Sequence, residues 1–129
     1  MTYYHEEVLR IRKQYFPNVH IADHLAKARV FMDENFCANI DLKAISEFSF
    51  LSKYHLIRLF KKCYGMTPHR YLTEKRLELA KKLLRTDRTV IETCFQIGFE
   101  SPNSFSATFK KYTGLSPTAY KKQFSIRLP

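Results

Sequence analysis

Apolar residues recur along this chain at three- and four-residue intervals, and no segment alternates with the period of two that a half-buried strand requires. Leu56, Leu59, Phe60 and Cys63 share one face of a helix, and so do Phe105, Thr108, Phe109 and Tyr112. The pattern predicts helices over 21–36, 41–48, 52–64, 68–85, 90–97, 102–113 and 117–124. Residues 1–20 are less patterned. Their "EEVLRIRKQYF" reads either as a short helix stopped by Pro17 or as a piece of linker.

The polar punctuation agrees with these elements. Gly65 and Gly114 each follow an apolar-periodic run, where a left-handed residue ends a helix. Gly98 follows a third such run. Thr67-Pro68, Ser101-Pro102 and Ser116-Pro117 each supply an N-cap and a proline at the first helical position. Thr89 to Glu92 fits a capping box.

Two segments say nearly the same thing. Phe60, Lys61, Lys62, Gly65, Pro68 and Tyr71 recur 49 residues later as Phe109, Lys110, Lys111, Gly114, Pro117 and Tyr120. Each copy begins in the second of two short helices joined by a turn of a few residues, which is what a helix-turn-helix needs, and runs on into the helix that follows. The expected fold is all-α, with seven helices and two helix-turn-helix subdomains, 21–66 and 87–129. A linker helix over 67–86 joins them, and 1–20 forms an extension. The central helix would be about 27 Å long, a spacer suited to holding two reading helices near the ~34 Å repeat of the major groove.

The faces opposite the apolar stripes are the candidate chemistry. In the first reading helix that face carries Tyr54, Arg58 and Lys61, flanked by His55, Ile57 and Lys62. Arg can bond a guanine edge bidentately, an apolar side chain can meet a thymine methyl, and lysines can meet phosphates. In the second helix it carries Asn103, Ala107 and Lys110, flanked by Ser104, Ser106 and Lys111. Asn can pair with adenine, but no arginine is present, so this helix is expected to be the weaker base reader. Ser52, Lys53, Lys61, Lys62, Ser104, Lys110 and Lys111 are the expected phosphate contacts.

Charge sharpens the picture. The net charge is +10, yet residues 1–40 hold five basic and five acidic residues. The remaining residues hold 17 basic against 7 acidic, so the whole excess sits with the repeat. Such a field attracts polyanions. No apolar run approaches the roughly 18 residues that span a membrane. The start "MTYYHEEV" lacks the basic and apolar regions of a signal peptide, so a cytoplasmic, nucleoid-associated location is expected. Cys37, Cys63 and Cys94 are odd in number and widely spaced, and Cys63 and Cys94 are expected to be buried, reduced thiols.

Three rival readings fit the pattern less well. RNA readers usually offer exposed aromatics for base stacking, whereas most aromatics here sit on core stripes. A membrane-surface helix needs its apolar face free, whereas the repeat's apolar faces are needed for a core. His20 and His24 could share a helix face and bind metal, but no third ligand stands near and no catalytic set is evident. The expectation is no enzyme, no cofactor and no metal.

The stretches "SKYHLIRLFKKCYGMTPHRYLTEKRLELAKKLL" and "IGFESPNSFSATFKKYTGLSPTAYKK" resemble the DNA-binding domain of the AraC/XylS family of bacterial transcription regulators. The likeness runs over about residues 21–124. Its most specific part is Gly98, Phe99, Ser101, Phe105, Phe109-Lys110-Lys111, Gly114 and Ser116-Pro117. It implies a domain that reads two adjacent major grooves of an asymmetric double-stranded DNA site, often as an activator acting through RNA polymerase. It implies base-reading roles for Tyr54, Ile57 and Arg58, and for Pro102, Asn103, Ser106 and Ala107. Full-length members usually carry a sensory domain, so the chain is read as a short stand-alone member or as the DNA-binding part of a longer one. A monomer on DNA is expected, or a dimer through a domain not present here. Ser46 and Cys94 stand where the family usually has alanine, and Thr93 where it has isoleucine. Phe50 stands where it has glycine in the first turn. A left-handed Phe is strained, so the first turn is expected to be built differently from the second.

Overall fold

The computed structural model describes residues 19–125, with side chains from 21 to 124. Among the described residues there are seven helices and no strand: α1 (Val19–Asn35), α2 (Leu42–Ser49), α3 (Lys53–Tyr64), α4 (Pro68–Leu84), α5 (Val90–Gln96), α6 (Pro102–Thr113) and α7 (Pro117–Ser125). Their ends fall within two residues of those predicted. The caps are the reason. Ser52, Thr67, Ser101 and Ser116 side chains accept from the backbone N–H groups of His55, Arg70, Ser104 and Ala119 at 3.1–3.2 Å. Thr89 and Glu92 complete the capping box in both directions. The bond that Glu92 accepts from the Thr89 backbone holds its carboxyl below the usual range.

The chain packs as two compact units. Of the described residues, the first takes Val19–Asn35 together with Ile40–Thr73. Here α1 contributes Leu25 and Met32, α2 Ile45, and α3 Leu56 and Phe60 to one core. Tyr71 donates to Asp33 at 2.6 Å, and Asp33 also pairs with Arg29 at 2.8 Å. Burial pushes the Tyr64 hydroxyl well above its usual value.

The second unit takes Phe36–Asn39 together with Glu74–Ser125 of the described residues. Leu77 and Leu84 of α4, Cys94 of α5, Phe105 and Phe109 of α6 and Tyr120 of α7 form its core. Cys63 and Cys94 are buried free thiols, as expected, and Cys37 is exposed.

The repeat encodes the same joint twice. Phe60 and Phe109 are both fully buried. Tyr71 meets Phe60 edge-on at 5.5 Å, and Tyr120 meets Phe109 edge-on at 5.4 Å. Between ring and tyrosine, Gly65 (φ 79°) and Gly114 (φ 86°) reverse the chain in the left-handed region. That conformation costs glycine little.

One expectation about the core fails. Tyr112 shares a stripe with Phe105 and Phe109 by periodicity, yet it is exposed, and Thr108 is only half-buried. The helices around α6 cover an arc narrow enough to be filled by Phe105 and Phe109.

The first turn also corrects the sequence reading. Phe50 does adopt the left-handed region, at φ 59° and ψ 32°. Its N–H reaches the Glu47 carbonyl at 3.4 Å, and that of Leu51 reaches Ser46 at 3.2 Å. The N–H of Gly98 reaches Phe95 at 3.3 Å, and that of Phe99 reaches Cys94 at 3.1 Å. Both turns are therefore Schellman closures, with Phe50 in the place Gly98 holds in the second. The hydrogen bonds and the open surroundings of Phe50, 76% exposed with its ring edge toward His24 at 6.1 Å, let a bulky residue stand there.

The left-handed backbone costs a non-glycine residue about 1–2 kcal/mol, while glycine loses roughly 0.5–1 kcal/mol through its freer unfolded chain. Phe50→Gly is therefore expected to stabilise the protein by roughly 0.5–1 kcal/mol. The check is the urea midpoint at unchanged slope. No rise would mean that the Phe50 ring contact outweighs the relief.

Candidate nucleic-acid interface

The structure places the two sets of singled-out residues on the outer faces of α3 and α6. In α3, burying Leu56, Leu59, Phe60 and Cys63 turns Tyr54, His55, Ile57, Arg58, Lys61 and Lys62 outward, and all six are exposed. Tyr54 is 69% exposed and Ile57 40%. The Arg58 guanidinium carbon lies 5.7 Å from the Tyr54 ring centroid, one turn away on the same face. That stacking orients the fork without using its hydrogen-bond donors. Ser52 caps α3, and Lys53 opens it, exposed.

In α6, Pro102, Asn103, Ser104, Ala107, Lys110 and Lys111 are exposed, and Ser106 is half-buried. Ser101 caps the helix and Pro102 fixes its first turn, so Asn103 stands at the rigid N-terminal end. Lys61, Lys62, Lys110 and Lys111 lie in the last turns of α3 and α6, where they also offset the helix dipole.

The electrostatics of these helices are one-signed. The seven acidic residues after residue 40 are Asp41, Glu47, Glu74, Glu78, Asp87, Glu92 and Glu100, and none lies on α3, α6 or α7. A phosphate backbone approaching either outer face meets no fixed negative charge on the helix itself.

Among the described residues, no group of three His, Cys, Asp or Glu is placed to hold a metal ion. The side chain of His20, half of the candidate pair with His24, lies outside the described residues. Among the described residues, no helix is long and apolar enough to cross a membrane. The sequence reading missed Arg76, a half-buried guanidinium that bonds backbone carbonyls some 40 residues away. Nothing in its local pattern distinguishes it from the surface charges of α4.

Two helix-turn-helix units with matching turns, each presenting an acid-free face on its second helix, define a double helix-turn-helix domain. A family profile described as a helix-turn-helix domain matches residues 45–123. The chain belongs to the AraC-type helix-turn-helix family. It is 37% identical over 98 residues to the probable transcriptional regulator LumQ of Photobacterium leiognathi, covering 75% of this chain and 39% of LumQ. It is 34% identical over 98 residues to the HTH-type transcriptional activator AarP of Providencia stuartii, covering 75% of this chain and 73% of AarP. Among solved structures, the DNA-binding domain of the global transcriptional factor AdpA, in complex with a target DNA, superposes with a TM-score of 0.75 at 28% identity. That match covers 81% of this chain and 96% of the AdpA domain. The C-terminal domain of the two-component response regulator yesN from Fusobacterium nucleatum gives 0.70 at 35% identity, over 73% and 93% of the two chains. The chain thus spans well under half the length of LumQ and about three quarters of AarP. The fold and family are those of transcription regulators rather than of enzymes.

Proposed function

We propose that the chain is a sequence-specific, double-stranded-DNA-binding transcription regulator, acting as an activator from two adjacent major grooves of an asymmetric site. The observation that carries this is the pair of outward, acid-free faces on α3 and α6, each on the second helix of its own helix-turn-helix. The names of AarP and of the DNA-bound AdpA domain support it.

The first reader spans 21–66 and the second 87–129, joined through the helix at 67–86. Tyr54, His55, Ile57 and Arg58 read bases in the stronger half-site. Pro102, Asn103, Ser106 and Ala107 read them in the weaker one. Ser52, Lys53, Lys61, Lys62, Ser104, Lys110 and Lys111 meet phosphates. The chain binds as a monomer, works in the cytoplasm at the nucleoid, contacts RNA polymerase and performs no catalysis. A metal or other cofactor has no part in this scheme.

The test is selection of bound duplexes from a randomised pool by the purified chain at two salt concentrations. The expected result is an asymmetric motif over about two helical turns, sharper in one half. Affinity should fall steeply with salt as phosphate counterions are released. Absence of any motif at either salt, with binding lost at the higher one, would reduce the chain to a non-specific polyanion binder.

A further inference from the structure

Four residues that follow α1 in sequence, Phe36–Asn39, pack in the second unit and lie against the turn that leads into α6. Arg76 of α4 holds them there. Its Nε donates to the Phe36 carbonyl at 2.6 Å and its Nη2 to the Ala38 carbonyl at 2.9 Å. The intervening Cys37 carbonyl faces Gly98. A Cβ on Gly98 would come within 2.8 Å of that oxygen and 3.2 Å of Arg76 Nε. The Lys75 ammonium sits 5.7 Å from the Phe36 ring centroid, and the Arg76 guanidinium carbon 6.0 Å from that of Phe99. The Phe99 ring in turn packs on Phe105, in the core face of α6, at 5.4 Å. In the first unit Phe50 occupies the position equivalent to Gly98, and it is largely exposed.

We propose that Arg76, through the Phe36–Asn39 strap, is a positioning residue that sets the Gly98–Phe99 turn and thereby aims the base-reading face of α6. Arg76 touches no DNA in this scheme. The strap closes over the turn where the absent Cβ of Gly98 leaves room, and the charged fork ties down two backbone carbonyls, one part-buried and one exposed. The proposal rests on the DNA-reading function given above.

The test uses the full chain and the duplex selected by the wild type. Asn103→Ala first identifies the base positions that α6 reads, as those whose preference it relaxes. Each variant is then titrated against the selected duplex and against one scrambled at those positions, with helix content followed by circular dichroism. Arg76→Met and Gly98→Ala are expected to bind the selected duplex on the order of tenfold more weakly, the size of one lost base contact. They should bind the scrambled duplex like the wild type and keep wild-type helix content. Arg76→Lys, which keeps the charge and stem but not the fork, should fall between.

Equal losses on both duplexes would overturn the proposal in favour of a general structural role. Wild-type affinity of Arg76→Lys and Gly98→Ala for the selected duplex would overturn it outright. If Arg76→Met loses helix content, Arg76→Lys decides. If the wild type selects no motif, or Asn103→Ala relaxes no position, the DNA reading falls first and takes this proposal with it.

Discussion

Phe109→Ala is expected to destabilise the second unit by about 3–5 kcal/mol, the usual cost of emptying a fully buried phenylalanine site. The ring is inaccessible to solvent and is held edge-on by Phe105 at 5.7 Å and by Tyr120 at 5.4 Å. These two rings come from α6 and α7, each anchored by an N-terminal cap, which limits how far they can close on the space. Domains of this size are typically stable by roughly 5–15 kcal/mol in total, so the loss takes a large share of what holds the unit together.

Phe60→Ala should do the same to the first unit, since Phe60 is equally buried and meets Tyr71 in the same geometry. Amide hydrogen exchange separates the two. Phe109→Ala should release protection in α5, α6 and α7 first, and Phe60→Ala in α2 and α3. A cost under about 1.5 kcal/mol would mean that the cavity closes. Loss of protection throughout the chain in both variants would show that the two units unfold as one.

The second large effect concerns recognition. Arg58→Ala should weaken binding to the selected duplex by about 1–3 kcal/mol and relax preference at one base position. Lys61→Ala should weaken all duplexes by a similar factor and lower the salt slope by about one. The two side chains are both exposed on α3, three residues apart, so bulk charge loss is the same in each and the difference isolates base reading. The Tyr54 ring beneath the Arg58 guanidinium adds a check. Tyr54→Ala should blunt the same base preference, because the fork loses its orientation. Uniform weakening by Arg58→Ala across all duplexes would remove Arg58 from the base-reading set and leave it a phosphate contact.

Much of this protein is legible in its sequence, because the information is local. Helix identity follows from three- and four-residue spacing, and helix ends from Thr67-Pro68, Thr89 with Glu92, Ser101-Pro102 and Ser116-Pro117, each acting within one turn. Once Phe60 and Phe109 are assigned inward, the 100° step sends Arg58 and Asn103 outward. The repeat pairs Phe60 with Tyr71 and Phe109 with Tyr120 over only 11 residues.

What the sequence could not supply depends on distant neighbours. Whether Tyr112 is covered depends on how much of α6 the other helices reach, which periodicity does not record. The left-handed state of Phe50 contradicts its local preference and is sustained by two closing hydrogen bonds and open space around the ring. Arg76 bonds the carbonyls of Phe36 and Ala38, partners 40 and 38 residues away, and the tightness at Gly98 comes from the Cys37 carbonyl. The sequence by itself determined the helices, their caps and their two faces, because each is settled within a turn or two of chain. The tertiary structure alone decided which positions are covered, which strain is tolerated and what holds the second turn, because those depend on atoms that meet only when the chain has folded.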